Sequence, residues 1–146
     1  MKSIMLSIKP SFCELIARGK KTIEIRKTKP KIDKPIKCYI YCTKDKPLCV
    51  ASGKVIGEFV CNNISIYPYF DNGYSVSYGY VTITNEMIQK MCLDLSEIED
   101  YGSCKKLYGW YISDLIIYDN PKELSDLGMK RPPQSWCYVK ERGKDA

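Results

Sequence analysis

The sequence predicts an α+β domain, a small, partly closed barrel of about six short strands with two or three short flanking helices. Three observations predict it. Short stretches that alternate apolar and polar residues recur along the chain. Helix start signals stand in only a few places between them. The connections are irregular in length and punctuated by proline and glycine.

The first strand spans residues 3–9, where Ile4, Leu6 and Ile8 alternate with Ser3, Met5, Ser7 and Lys9. Pro10 stops it. Ser11 and Glu14 have capping-box spacing, which predicts a helix starting at Ser11 with Phe12, Leu15 and Ile16 on its apolar face. Gly19 ends that helix as a C′ residue. Residues 22–26 form the second strand, and Lys27 to Pro35 a basic loop broken by prolines. Ile36, Cys38, Ile40 and Cys42 alternate with Lys37, Tyr39, Tyr41 and Thr43 in a third strand. A turn region around Pro47 leads to a fourth at 54–61, where Gly57 suggests a bulge or bend.

Residues 62–80 contain a single charge, Asp71, but Tyr67, Tyr69, Phe70, Tyr74, Tyr78 and Tyr80. Such a loop suits a packed lid or, less favoured, a base-stacking platform. Val81-Thr82-Ile83 leads into a helix from Asn85 to Cys92 capped by Thr84, and Ser96 with Glu99 has the capping-box spacing of a second. Residues 84–126 carry nine acids against four lysines and are expected to lie away from any polyanion. Trp110 to Tyr118 is the most apolar segment and reads as a central strand. Leu124 and Leu127 belong to a short turn or helix ended by Gly128. Arg131 to Gln134 is extended, Ser135 to Lys140 is the closing strand, and 141–146 reads as a frayed polar tail.

One domain, 1–146, is the natural count for this length. No apolar run approaches the ~20 residues of a membrane span, and the start at a plain Met1 without a signal-peptide core reads as cytoplasmic. Eight cysteines occur with no C-x-x-C pair and no histidine, which predicts reduced thiols and no metal. The absence of histidine excludes Ser-His and Cys-His nucleophile systems, and no glycine-rich phosphate loop is present. The net charge of +6 is concentrated at residues 18–37, where nine Lys/Arg face Glu24 and Asp33. Such a patch suits a polyanion, although a solvated lysine-rich loop has the same composition.

The stretch Gly19-Lys20-Lys21-Thr22-Ile23-Glu24-Ile25-Arg26 anchors the functional reading. Strand parity puts Ile23 and Ile25 on one face and Thr22, Glu24 and Arg26 on the other. Taken by spacing alone, this is a solvated face with a surface ion pair, worth ~0–1 kcal/mol. Gly-x-Lys-x-x-Glu-x-Arg after a short helix resembles the signature of the ASCH domain, a branch of the PUA-like fold. Gly19, Lys21, Glu24 and Arg26 match its four positions. The opening Ile4 to Pro10 and the closing Arg131 to Val139 are also similar to those of small bacterial and phage ASCH proteins, while residues 62–108 match nothing.

The resemblance implies a PUA-like pseudo-β-barrel whose signature lines a cleft near the first helix, with the closing segment beside it. It implies that Lys21, Glu24 and Arg26 are the leading site residues. Lys9 and Ser135 are weaker candidates, Trp110 weaker still, and Glu58, Gln134 and Trp136 are further possible walls. The first functional expectation is an RNA- or nucleotide-binding module with no cofactor, no metal and no membrane partner. Arg26 would contact a phosphate or base edge, Glu24 would accept from an amino group, and an aromatic side chain would stack a base. The alternative is a small hydrolase acting on RNA or a modified nucleoside, with Lys21 and Glu24 catalytic. Some ASCH-like proteins are acetylcytidine amidohydrolases resembling Gly-x-Lys-Thr-x-Thr-x-Arg, but Glu24 stands where their nucleophilic threonine falls. That demotes this activity, in which Lys21 would be the base. A protein-interaction domain is the second alternative.

Overall fold

The computed structural model describes residues 2–69, 83–103 and 105–140. The tyrosine-rich residues 70–80, the run-in at 81–82 and the tail 141–146 lie outside them. Eight strands and three α-helices are present among the described residues. They run β1 (Lys2–Ile8), α1 (Pro10–Ala17), β2 (Ile23–Arg26), β3 (Ile36–Cys42), β4 (Lys54–Cys61) and β5 (Ile64–Tyr67). Then come α2 (Asn85–Met91), α3 (Leu95–Gly102), β6 (Leu107–Tyr111), β7 (Ser113–Lys122), a 3₁₀ turn (Leu124–Leu127) and β8 (Trp136–Lys140).

The α+β class is as expected, but the described strands do not close into a barrel. They form a five-stranded sheet in the order β7-β4-β3-β1-β8 and a separate three-stranded sheet in the order β2-β6-β5. β1 runs parallel to β3 and antiparallel to β8, so the two ends of the chain meet in the larger sheet. The expected central strand Trp110–Tyr118 is in fact two strands. The chain leaves the small sheet at Ile112 and enters β7, an edge strand of the larger sheet, where Asp114 takes a positive φ of 48°. An apolar run signals burial of some kind without revealing that the chain changes sheets partway along it. At the edge, Ile116 and Ile117 stay exposed.

Local starts and stops follow elementary rules, with two shifts from expectation. α1 begins two residues early, with Lys9 in place of Ser11 in the N-cap position and Pro10 in the first turn, and no side chain caps it. Proline's fixed φ favours N1, so Ser11 is already inside the helix. α3 is capped by a reciprocal pair two residues earlier than Ser96 and Glu99. Asp94 accepts from the Glu97 amide at 2.8 Å, and Glu97 accepts from the Asp94 amide at 3.1 Å. A carboxylate at the cap makes a charge-assisted bond and complements the helix dipole, an advantage the serine lacks. Thr84 caps α2 as expected. Gly19 takes φ 75° after α1, and the amides of Gly19 and Lys20 return to the carbonyls of Ile16 and Leu15, a Schellman ending.

The expected bend at Gly57 is present, with register shifts on both sides of β4 next to it. A Cβ at Gly57 would stand 2.3 Å from the Ile116 carbonyl oxygen, so only glycine lets β7 approach this closely.

Two cores flank the small sheet. Ile23 and Ile25 pack with Tyr67, Ile83, Met91, Ile98 and Leu107 under α2 and α3. On the other side, Tyr108 and Trp110 join the main core of Ile4, Leu6, Ile8, Ile16, Ile40 and Phe59. Glu24 is the cross-strand partner of Trp110, and Arg26 that of Tyr108. Cross-strand partners share a face, so the charged face of β2 looks toward the larger sheet. It is not a solvated face.

Candidate functional site

The turn after α1 brings Lys21 to the base of the space between the two sheets, and β2 delivers Glu24 and Arg26 beside it. Their relative exposures are 2%, 6% and 8%. Burial at this level replaces the expected surface ion pair with a buried ionic cluster, in which desolvation must be offset by well-placed partners.

The partners are present. Arg26 Nε and Nη2 both donate to Glu24 Oε2, at 3.2 and 2.7 Å. Its Nη1 donates to the Ser135 carbonyl and the Ser135 hydroxyl, both at 3.1 Å, and Nη2 also donates to the Ser7 carbonyl at 2.6 Å. All five guanidinium hydrogens thus have an acceptor. Ser7 lies on β1 and Ser135 immediately precedes β8, so Arg26 ties the small sheet to the large one.

Lys21 Nζ donates to the Met91 carbonyl at the end of α2, stands 3.4 Å from Glu24 Oε1, and lies 4.8 Å from the centre of the Phe12 ring. Burial alone would push the Glu24 carboxyl up. Arg26 and Lys21 outweigh it, through charge and hydrogen bonds, and hold it below the usual glutamate value.

The cluster opens into a cleft of about 580 Å³. Lys9, Lys21, Glu24, Arg26 and Ser135 line it, with Gln134 as a further wall, so the structure brings together five of the six candidate site residues. Trp110 is not among them. It is fully buried beneath the cleft, its indole N–H donating to the Thr28 carbonyl at 3.3 Å, and it has no face to offer a base. Trp136 instead donates to the Thr28 hydroxyl at 2.7 Å and packs against Trp110 and Tyr138. Glu58 lies elsewhere, accepting from Tyr118 at 2.7 Å and pairing with Lys37 at 3.5 Å.

Sequence reasoning missed the far wall. Leu93, Glu97 and Tyr101 reach the cleft from α3 and the segment before it, the acidic region expected to lie apart. Lys27 also lines the cleft, its Nζ 4.8 Å from the centre of the Tyr101 ring. Lys27 and Phe12 were within reach of prediction, since each adjoins the signature or its helix. No local signal marks Tyr101, because only the packing of the helices against β2 brings it across. The lining carries Lys9, Lys21, Arg26 and Lys27 against Glu24 and Glu97, an excess of two positive charges. Among the described residues, no group of three or more Cys, Asp or Glu side chains is arranged to hold a metal ion. No described helix is long and apolar enough to cross a membrane.

Three crystal structures from Zymomonas mobilis share this fold. Two are of mutants of the protein ZmASCH. The first superposes with a TM-score of 0.71 at 21% identity, over 96% of this chain and 91% of that one. The second gives 0.70 at 21%, over 94% and 88%. The third, of ASCH itself, gives 0.68 at 22%, over 94% and 87%. No curated protein matches the sequence. The ASCH domain family model matches residues 6–127, which include the whole Gly19-to-Arg26 signature. On that match, the chain belongs to the ASCH domain family.

Proposed function

We propose that the cleft binds RNA or a nucleotide-like ligand. The observation that carries this reading is the meeting, in one concave site, of a buried polar cluster, a positive rim and an aromatic ring. Association of the ASCH family with RNA binding supports it. The roles divide by geometry. Arg26 has every donor committed to protein acceptors, so its task is to hold Glu24 and the two sheets in place. Glu24 Oε1 and Lys21 Nζ are the atoms left to read a ligand's amino or carbonyl edge. Lys9 and Lys27 at the mouth suit phosphates, and Tyr101 suits stacking against a base.

The test is a fluorescence titration of a short single-stranded RNA across a range of salt. Each phosphate contact contributes about 0.7 to the slope of log affinity against log salt. Replacing Lys9 and Lys27 together by alanine is therefore expected to weaken binding and to flatten the slope by about 1.4. Salt-independent binding, or a slope unchanged by the double variant, rejects the assignment and favours a protein-interaction domain.

One observation favours a second reading, hydrolysis in the same cleft. Lys21 Nζ and Glu24 Oε1 stand 3.4 Å apart on its floor, close enough for an acid–base pair. Lys21, however, is committed to protein partners, donating to the Met91 carbonyl and pairing with the Glu24 carboxylate. An acetylcytidine amidohydrolase mechanism also lacks its threonine at position 24. RNA and acetylcytidine recovered intact by mass spectrometry after incubation would reject hydrolysis and leave binding.

A further inference from the structure

On the opposite flank of α1 from Phe12 lies a second cavity, of about 430 Å³, lined by Pro10, Cys13, Cys42, Cys49, Ile56 and Ile117 among others. It takes no part in the cleft. Three of the seven described cysteines meet here, all as free thiols. Cys49 is exposed on the loop after β3, whereas Cys42 is buried at the end of β3. Their sulfurs are 3.8 Å apart.

We propose that Cys49 and Cys42 form a hydroperoxide-reactive thiol pair, in which Cys49 is the attacking sulfur and Cys42 the resolving one. The environment divides the roles. The Ser52 hydroxyl donates to Cys49 Sγ at 3.6 Å, while its oxygen accepts the Cys49 amide at 2.9 Å, so the hydroxyl is held in place beside the sulfur. That bond draws the Cys49 thiol below its usual value, and exposure gives the oxidant access. Burial pushes both the Cys42 and the Cys13 thiols up. Cys13 donates to the Ile8 carbonyl at 3.4 Å and also hydrogen-bonds Cys42, but its burial keeps it from the oxidant that reaches Cys49.

The steps balance. The Cys49 thiolate attacks one oxygen of a hydroperoxide, forming an S–O bond as the O–O bond breaks. The departing oxygen takes a proton and leaves as water or an alcohol. Sulfur is oxidised by two electrons to the sulfenic acid and the peroxide is reduced. The Cys42 sulfur then attacks Cys49, forming the S–S bond as the S–O bond breaks. The leaving hydroxide takes the proton that Cys42 gives up, and water departs. Closing the disulfide requires the two sulfurs to approach from 3.8 Å to about 2.05 Å, a movement that falls to the exposed loop.

The experiment treats the full chain with hydrogen peroxide and maps peptides by mass spectrometry. Trypsin cleaves after Lys44, which separates Cys42 from Cys49, so the disulfide joins two peptides. The wild type is expected to lose the mass of two hydrogens, recovered on reduction, and to link the peptide of Cys42 to that of Cys49. Cys49→Ser, an exposed change compatible with folding, is expected to abolish the link. Cys42→Ala is expected to stop at a Cys49 sulfenic acid captured by a 1,3-diketone probe. Ser52→Ala is expected to slow the loss of the Cys49 thiol several-fold. Oxidation of the wild type at other cysteines first, a link that survives Cys49→Ser, or no link at all overturns the proposal. If Cys42→Ala fails to fold, the wild type and Cys49→Ser still decide it.

Discussion

Replacing Arg26 by methionine tests the buried cluster most directly. Methionine keeps much of the side-chain volume but removes the guanidinium. Glu24, 6% exposed, would then have Lys21 as its one charged partner in the cluster, and the carbonyls of Ser7 and Ser135 would each lose a donor. Removing one member of a buried ion pair costs about 3–5 kcal/mol, because the remaining charge stays desolvated. A domain of this size loses about 2–4 °C of Tm per kcal/mol, so the melting point is expected to fall by roughly 6–20 °C.

The cost is expected to depend on pH in a defined direction. Glu24 in the folded protein gives up its proton at lower pH than in the unfolded chain, whose ordinary value is 4.5. Between those two values the unfolded chain binds more protons, so stability falls as pH falls. The cluster's contribution is therefore complete above about pH 4.5 and is lost as pH drops through the depressed folded value. The gap between the urea midpoints of wild type and Arg26→Met, measured from pH 7 down to pH 3, is expected to narrow as the pH falls below about 4.5. A loss under about 1 kcal/mol at pH 7, or a gap that does not change with pH, would mean that the three charges behave as a solvated surface pair.

Other perturbations probe the frame around the cleft. Asp94→Ala is expected to cost about 0.5–2 kcal/mol in urea unfolding, since it removes the α3 cap, whereas Ser96→Ala stays within about 0.5 kcal/mol. The reverse order would restore the Ser96 and Glu99 box. Gly57→Ala is expected to destabilise by about 1–3 kcal/mol, because its Cβ meets backbone and not a flexible side-chain end. A neutral result in a thermal melt would show that β7 is free to move away from β4.

The sequence by itself determined the pieces whose causes are local. Alternation placed β1, β3 and β4, Thr84 marked the start of α2, Gly19 ended α1, and Gly57 announced a bend. It also singled out Lys21, Glu24 and Arg26, because their types and spacing match a known signature. What it left undetermined were the surroundings of those residues. Parity sorted β2 into an apolar and a charged face, but whether water or protein covers the charged face depends on the sheet packed opposite. Here that sheet is anchored by Ser7 and Ser135, 19 and 109 residues away from Arg26. For the same reason, Tyr101 arrived at the cleft without any local sign, whereas the apolar run that contains Trp110 already pointed to burial. Burial is a property of the whole packing, and only the tertiary structure turned three charged residues on a strand into the floor of a site.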